Sequence, residues 1–279
     1  MSMRFTILGC GSSGGVPRVG NIWGKCDPSN PKNRRRRCAL LVERFGPSGT
    51  TTVLIDTPPD LREQLLGTSV VTLDAVLFTH DHADHTHGID DLRGVSFNAR
   101  RRIDIYADAD THATLMRRFD YCFVQPPGSI YPPILQAHDI RPPEPVRIDG
   151  AGGRIEALPI VLEHGDMPAL GFRFGDVCYS PDLSGIPDAS LPLLQGLDLW
   201  IVDALRPTPH PSHLSLSQSL EWIERLAPKR AILTQMTFEL DYEALRRELP
   251  PHIEPAYDGM VVEVGSSSSL SPLAGRGSG

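Results

Sequence analysis

The chain has 279 residues, 40% of them hydrophobic and 22% charged, so it is long enough to bury a hydrophobic core. Its 27 basic and 34 acidic side chains give a net charge of −7, which argues against a protein that binds nucleic acid or anionic membranes through its overall charge. Five scattered cysteines without a CxxC pair, and apolar runs well short of the ~18 residues of a membrane span, predict a cytoplasmic protein.

Short apolar runs bounded by glycine, proline and serine predict strands in the first part of the chain. These strands are predicted at residues 4–8, 38–43, 52–56 and 75–78, with a short helix at 59–66. A strand at 103–107 and a helix at 109–119 follow. The proline-rich segment 121–145 is predicted to be irregular.

The second part of the chain alternates strands and helices again. Strands are predicted at 155–162, 170–174, 177–180, 199–202, 231–234 and 260–264, and helices at 215–226 and 242–248. The order predicts an α/β protein with mixed sheets, formed as one domain by residues 1–264. Residues 265–279 read GSSSSLSPLAGRGSG, which predicts a low-complexity tail that is disordered or an artificial extension.

Residues 79–85 read THDHADH, and this segment follows directly after the buried-type strand AVLF. Three histidines and two aspartates within six residues are hard to explain as packing. Imidazole and carboxylate groups together suit Zn²⁺, Mn²⁺ or Fe better than Ca²⁺ or Mg²⁺. The segment therefore predicts a metal site, with His80, His82, Asp84 and His85 as candidate ligands.

Two more candidate ligands come from the second part of the chain. His164 lies in VLEHGD and Asp182 in YSPD, each at the point where a predicted strand ends. Polar groups that a rigid strand delivers to a loop are often functional. An isolated aspartate in such a place is more often a turn former or a helix cap, so the prediction depends on the cluster at 79–85.

The motifs THDHADH, EHGD and YSPD, in this order, resemble the metallo-β-lactamase fold, whose signature is HxHxDH followed by a distant histidine and a bridging aspartate. The segments LGCGSSGGVPR and CDPSNPKNRRRRCALLVE further resemble its phosphodiesterase branch. That branch includes the cyclic-phosphate phosphodiesterase of the carbon–phosphorus lyase pathway and, more distantly, the tRNA 3′-processing ribonucleases. The resemblance extends from about residue 4 to residue 264 and implies an αββα sandwich, with two mixed β-sheets flanked by helices.

The resemblance also implies two divalent transition-metal ions, zinc or manganese, at the sheet edges. The first ion would be held by His80, His82 and His164, and the second by Asp84 and His85, with Asp182 bridging them. Such ions lie ~3.5–4 Å apart and share a hydroxide that attacks phosphorus. Asp81 stands at the non-ligand position of the motif and is predicted to be a catalytic carboxylate that supports the ligands or acts as a general base.

A general acid is expected in the segment PHPSHLS, because the leaving alkoxide must be protonated. In the resembling phosphodiesterases a histidine in this kind of segment has that role. His213 is the better match, with His210 as a neighbour. The structural alternative is that Ser212, His213 or Ser215 only caps the following helix.

The chain departs from the family at Gln235. The family's last ligand of the second ion is a histidine in a segment like ILTHM, and here the segment reads ILTQM. A glutamine amide oxygen is neutral and a weaker ligand than imidazole for these metals. Gln235 is therefore a weak candidate ligand, and the second ion is expected to bind loosely.

The predicted function is a metal-dependent hydrolase, a phosphodiesterase that cleaves a small phosphodiester, cyclic ones included, or a nucleotide with a metal-bound hydroxide. One alternative is a metal-binding protein with little hydrolase activity, because GSSGGVP is similar to the opening of pyrroloquinoline quinone biosynthesis protein B. A second alternative, an RNA-processing nuclease, is disfavoured by the net charge of −7. Expected partners are the small substrate and a second copy of the chain in a homodimer, with neither a membrane nor a large nucleic acid.

Overall fold

The computed structural model describes residues 2–265 and 271–272. In chain order, the strands within these residues are β1 (Met3–Gly9), β2 (Ala39–Gly46), β3 (Gly49–Ile55), β4 (Ala75–Leu77), β5 (Ile103–Ala107), β6 (Leu135–Asp139), β7 (Val146–Ile148), β8 (Ile155–His164), β9 (Met167–Phe174), β10 (Val177–Ser180), β11 (Leu199–Asp203), β12 (Arg230–Thr234), β13 (Ile253–Pro255), β14 (Met260–Val264) and β15 (Ser271–Pro272). The α-helices are α1 (Leu61–Leu66), α2 (Ala83–Thr86), α3 (Leu92–Ala99), α4 (Ala109–Phe123), α5 (Leu216–Leu226) and α6 (Tyr242–Glu248).

The strands form two mixed sheets. The first sheet has the order β15-β14-β1-β2-β3-β4-β5-β6, and the second has the order β13-β12-β11-β10-β9-β8-β7. In the first sheet β3, β4, β5 and β6 run parallel, whereas β14, β1, β2 and β3 pair antiparallel. In the second sheet β10 to β13 run parallel, and β7 to β10 pair antiparallel.

Alternation along the strands of the first sheet sends side chains into two cores. Leu40 and Val42 of β2 belong to the core shared with the second sheet, whereas Leu41 between them packs with the helices on the outer face. This period of two is the pattern of a strand that is buried on both faces. Helices α1, α3 and α4 supply Leu61, Leu92 and Leu115 to the outer core, while α5 and α6 pack with the core of the second sheet. The predicted αββα sandwich is confirmed.

Several elements differ from the sequence-based expectation. α3, β7 and β13 have no predicted counterpart, and β6 lies inside the segment that was expected to be irregular. β6 is an edge strand with the sequence LQAHD, in which Leu135 and Ala137 are the two apolar residues, so the hydrophobic alternation that marks a strand is short and weak. α4 continues to Phe123, past its predicted end, through Phe119, whose φ of −136° and ψ of 35° are not helical.

Two further expectations concern the C-terminal tail and the absence of a membrane span. Of residues 265–279, the structure describes Gly265 and β15, which pairs with β14; the other residues of the predicted tail lie outside the described part. Within residues 2–265 and 271–272, no helix combines the length and the apolar character needed to cross a bilayer.

Parallel pairing brings the polar ends of several strands together. β10, β11 and β12 are neighbours in register, and Asp182, Asp203 and Gln235 lie at or just beyond their carboxyl ends. In the first sheet β3 and β4 are parallel neighbours, and Asp56 and His80 follow them in the same way. Ligand sites of sheets of this type lie at the carboxyl ends of the strands.

Candidate metal centre

The first of the expected ligand sets is assembled from both sheets. His80 and His82 follow β4 of the first sheet, and His164 ends β8 of the second sheet. One ligand atom from each of these three side chains lies within 4.8 Å of the others. Nε2 of His164 is 3.2 Å from Nδ1 of His82. His80 and His164 are buried, whereas His82 is exposed, so this set is open to solvent on the His82 side.

The second set is richer in carboxylates. It consists of Asp84, His85 and Asp182, and it adjoins the first set, because His85 and Asp182 each place one ligand atom within 4.8 Å of His80 and of each other. Oδ2 of Asp84 lies 3.7 Å from Nε2 of His85. His85 and Asp182 are buried, and Asp84 is half-buried.

Asp182 lies between the two sets and turns one carboxylate oxygen toward each. Its Oδ1 is 3.2 Å from Nε2 of His85. Its Oδ2 is 4.0 Å from Nε2 of His80 and 3.9 Å from Nε2 of His164. The surrounding imidazoles outweigh the effect of burial and hold the pKa of Asp182 well below its usual range. An ionised carboxylate in this position is suited to bridge two cations.

Hydrogen bonds at Nδ1 fix the tautomers of His80 and His85. The fully buried Asp56 accepts from the Thr79 backbone N–H at 2.8 Å, from the Thr79 hydroxyl at 2.8 Å and from Nδ1 of His85 at 2.7 Å. Since the Thr79 hydroxyl donates its hydrogen to Asp56, it accepts from Nδ1 of His80, 3.0 Å away. In both rings Nδ1 thus carries a proton, and Nε2 is the nitrogen turned toward the cluster.

His164 is oriented in the same way by the second sheet. Its Nδ1 donates to the backbone carbonyl of Ser212 at 2.6 Å, which leaves the Nε2 lone pair for the cluster. Burial lowers the pKa of His80 well below its ordinary value and also lowers the pKa of His164, so both rings are neutral at physiological pH. Burial acts in the same direction on His85, but the three surrounding carboxylates outweigh it and raise its pKa well above the ordinary value.

The unsatisfied atoms of the site fit a cation. Nε2 of His80, Nε2 of His85 and Oδ1 of Asp182 are buried and have no hydrogen-bond partner. Buried polar atoms are rarely left unpaired, because each costs roughly 1–3 kcal/mol. Imidazole rings held at Nδ1 by carboxylate, hydroxyl or carbonyl oxygens are the usual arrangement of metal-binding histidines. The donor set of histidine and aspartate is of the type that binds divalent transition metals.

Gln235 reaches the cluster in a different way from the one expected. Its amide nitrogen, and not its oxygen, faces the cluster and donates to Oδ2 of Asp182 at 2.6 Å. The oxygen accepts from the thiol of Cys38, with Sγ 3.3 Å away. An ionised carboxylate can only accept, so the amide group turns its nitrogen toward Asp182, and ligation of a metal by the amide oxygen stays a prediction.

His213 lies beside the cluster and is paired with a carboxylate that sequence analysis did not single out. Its Nδ1 is 2.8 Å from Oδ2 of the buried Asp203 and 3.8 Å from Oδ2 of Asp182. Burial lowers the pKa of His213, but Asp203 and Asp182 outweigh it and raise the pKa to about 9. The ring also packs against His164, with centroids 4.7 Å apart. His213 is thus a protonated group at the edge of the site.

The cap of α5 is provided by Ser215 and not by His213. Ser215 accepts from the backbone N–H of Gln218, and the Gln218 side chain accepts from the Ser215 backbone, which completes a capping box. His210 is a neighbour of His213, as expected, with ring centroids 5.2 Å apart. The structure therefore leaves His213 available for chemistry.

Asp81 is placed by an ion pair with helix α4. Its carboxylate lies 3.8 Å from the guanidinium of Arg118, which also donates to the Asp81 backbone carbonyl at 2.6 Å. These contacts tie the loop that carries His80 and His82 to α4. They favour a supporting role for Asp81, and its role as a general base stays a prediction.

Two functional candidates, Asp56 and Asp203, were missed by sequence analysis. Asp56 directly follows β3 and Asp203 is the last residue of β11. The signal that identified Asp182, an aspartate at a strand end, was present in TVLID and LWIVD as well. Neither aspartate lies in a motif of its own, so the sequence alone does not single them out.

Comparison with known proteins agrees with the architecture. Residues 51–236 match the family model described as "Beta-lactamase superfamily domain". The solved structure of a diphosphatase from the PhnP family is 35% identical, with a TM-score of 0.83 over 98% of this chain and 99% of that chain. Zn²⁺-bound PqqB from Methylobacterium extorquens is 16% identical, with a TM-score of 0.70 over 92% of this chain and 99% of that chain, which shows a shared fold alone.

One curated relative is named as an enzyme of a different class, a transferase. The octanoyltransferase of Porphyromonas gingivalis is 31% identical over 262 residues, which are 92% of this chain. The chain spans about half of that protein, 51% of its length. The name describes the whole of that longer protein.

Proposed function

The chain belongs to the beta-lactamase superfamily, and from this premise we propose that it is a metal-dependent phosphodiesterase of small substrates. The observation that carries the proposal is the position of Asp182, whose two carboxylate oxygens face different sets of imidazole nitrogens. Two cations held on either side of one carboxylate form the arrangement used in the hydrolysis of phosphate esters. His80, His82 and His164 would hold one cation, and Asp84 and His85 the other.

Bound at this site, a pair of divalent ions supplies a nucleophile at neutral pH and offsets the charge that develops on the phosphoryl oxygens. The protein residues fix the geometry. Asp56 and Thr79 keep His80 and His85 turned with Nε2 toward the cluster, and Ser212 does the same for His164. A site that is fixed before the substrate arrives needs no reorganisation during the reaction.

His213 is proposed to protonate the leaving oxygen. Its Nδ1 is engaged by Asp203, so the ring can hold a second proton at Nε2 for transfer. In the metal-free protein Asp203 and Asp182 raise the pKa of His213 to about 9, which favours the protonated ring at neutral pH. Asp203 acts through His213 by orienting the ring and stabilising its charge, and is a positioning residue.

A second candidate is the hydrolysis of a diphosphate linkage. The relative that is 35% identical along nearly the whole chain is described as a diphosphatase. Both reactions displace an oxygen from phosphorus, so the same cations and the same acid serve either one. They differ in the leaving group, because a phosphate is a better leaving group than an alkoxide and depends less on protonation by His213.

The binding-protein alternative predicts metal binding without turnover. The sequence of PqqB is 16% identical to this chain. That similarity shows the fold alone, so it does not favour a binding function. Acyl transfer, suggested by the octanoyltransferase name, belongs to a protein about twice as long and is not proposed for this chain. An RNA-processing nuclease is disfavoured by the net charge of −7.

The experiment is an assay of metal-free protein reconstituted with Mn²⁺ or Zn²⁺. The substrates are bis(p-nitrophenyl) phosphate, a 2′,3′-cyclic nucleotide and a dinucleotide diphosphate, with a precursor tRNA for the nuclease alternative. We expect metal-dependent turnover of a small phosphodiester or of the diphosphate. Full metal loading without turnover of any small substrate would contradict the proposal and support the binding protein.

A further inference from the structure

Gln235 is held in a backbone conformation that residues with side chains seldom adopt. It follows β12 directly, and its φ of 62° lies in the left-handed region. The residues on both sides are fixed, because the Thr234 carbonyl accepts from Ala204 and the Met236 N–H donates to the Cys10 carbonyl at 2.9 Å. A strained residue fixed on both sides is frequent at functional sites, where it aims a side chain.

The Gln235 side chain is buried, and both ends of its amide form hydrogen bonds. Gln235 is 1% exposed. Its amide nitrogen donates to Oδ2 of Asp182 at 2.6 Å, while Oδ1 of Asp182 has no hydrogen-bond partner and faces His85. Oδ2 is thus anchored by a neutral donor and keeps a lone pair on the side of His80 and His164, and Oδ1 is open toward His85.

Cys38 completes a line of three polar groups. It is 1% exposed, and its Sγ lies 3.3 Å from the amide oxygen of Gln235 and 3.4 Å from the hydroxyl of Thr234. Since an amide oxygen can only accept, the thiol is the donor of this contact. This contact agrees with the amide orientation in which the nitrogen points at Asp182, and the thiol also lies 3.6 Å from the Gly11 carbonyl oxygen.

We infer that Cys38 and Gln235 form a buried hydrogen-bond line that positions the Asp182 carboxylate, and that Gln235 is a positioning residue and not a metal ligand. The inference rests on the proposed metal-dependent function and deepens it. These hydrogen bonds fix the side-chain torsion of Asp182, whose carboxylate is shared by both ligand sets. The second set depends on it most, because Asp182 is one of only three candidate ligands there, with Asp84 and His85.

The two roles of Gln235 predict opposite effects of removing the thiol. Cys38→Ala removes the donor to the amide oxygen, so the hydrogen bond to Asp182 alone holds the Gln235 amide. If that oxygen were a ligand, the second ion would bind equally well or more tightly. If the line positions Asp182, the second ion is expected to bind roughly 10–100-fold more weakly, as is typical when a partner of a metal ligand is lost.

The experiment is a calorimetric titration of the metal-free protein with Mn²⁺ alone. Cys38→Ser keeps a hydroxyl donor at the same place and is expected to restore most of the affinity. Cys178→Ala is the matched control, because Cys178 is also completely buried but its Sγ is near the Ser180 hydroxyl, 3.6 Å away. The control is expected to leave the affinities of both metal ions unchanged.

Gln235→Glu provides an independent variant at pH 8. It removes the amide donor and places a second carboxylate against Asp182, so the positioning role predicts weaker binding of the second ion. A ligand role predicts tighter binding, because a charged oxygen replaces a neutral one. Tighter binding in Gln235→Glu, or unchanged binding in Cys38→Ala, would overturn the inference.

The metal titration separates this inference from the proposed function. It contains no substrate, so a protein that binds two ions but cleaves no phosphoester refutes the proposed function and leaves the hydrogen-bond line testable. Thermal unfolding of each metal-free variant shows whether the variant is folded. A weakened second phase in a folded Cys38→Ala protein, with Cys178→Ala unchanged, supports the inference.

Discussion

The two ligand sets of the candidate metal centre differ in charge and in exposure. The first set, His80, His82 and His164, consists of imidazoles and is open to solvent at His82. The second set has one imidazole of its own, His85, with the carboxylates of Asp84 and Asp182. Nitrogen donors favour borderline metals such as zinc, whereas oxygen donors hold them less tightly. This difference predicts a tightly bound ion at the first set and a loosely bound ion at the second.

The largest expected effect comes from removing the first set. His80→Ala combined with His82→Ala should abolish tight metal binding. The metal ion stabilises the transition state by several kcal/mol, so its loss should lower the rate by roughly 10²–10⁴-fold. Elemental analysis and turnover of bis(p-nitrophenyl) phosphate measure the two effects. His112→Ala with His138→Ala is the control, because these histidines pair with Asp139 and Asp104 instead. Unchanged metal content would contradict the assignment.

Replacement of His213 should change catalysis without changing either ion. His213→Ala is expected to slow substrates with alkoxide leaving groups by roughly 10²–10⁴-fold, the usual size of general acid catalysis. p-Nitrophenyl esters, which need little protonation, should be affected much less. Because His164, Asp182 and His213 also come within 4.8 Å of one another, loss of a metal ion in this variant would instead make His213 a ligand.

The control for His213→Ala is the cap of the neighbouring helix. Ser215→Ala removes the capping box of α5 and should lower the free energy of unfolding by about 0.5–2 kcal/mol. It should leave the dependence of the rate on the leaving group unchanged. If Ser215→Ala reproduced the kinetic profile of His213→Ala, the histidine would act through the position of the helix and not as an acid.

A smaller effect is expected when the support of the second set is weakened. Asp56→Asn leaves one acceptor oxygen where the carboxylate accepts from His85 and twice from Thr79. The second ion should bind about 10–100-fold more weakly, as for other partners of metal ligands. The first ion should lose less, because Asp56 reaches His80 only through Thr79. Equal losses at both sites would contradict the proposed division into sets.

Sequence analysis identified the site where its ligands are close together in the chain. The cluster at 79–85 is dense enough to be recognised directly, and the resemblance extended it to His164 and Asp182. Asp56 was missed because its contact with His85 spans 29 residues and nothing near it marks it. Asp203 was missed because its pairing with His213 depends on how the loop after β11 folds.

The role of Gln235 could not be predicted from the sequence for a similar reason. The residue type suggested a weak oxygen ligand, but which end of the amide faces the cluster depends on Asp182 and Cys38, which are 53 and 197 residues away. The fold was predicted well where strands are buried on both faces, as in β3 and β4. It was predicted poorly at the edge strand β6, where burial on one side leaves little hydrophobic pattern.

The most direct test of the paired but unequal centre is a calorimetric titration of metal-free protein with Zn²⁺ and, separately, with Mn²⁺. Two binding phases of about one ion each are expected, with dissociation constants at least about tenfold apart, a difference of about 1.4 kcal/mol. Activity should rise as the weaker phase fills. A single phase of two equivalent ions, or one ion with full activity, would contradict the proposed pair.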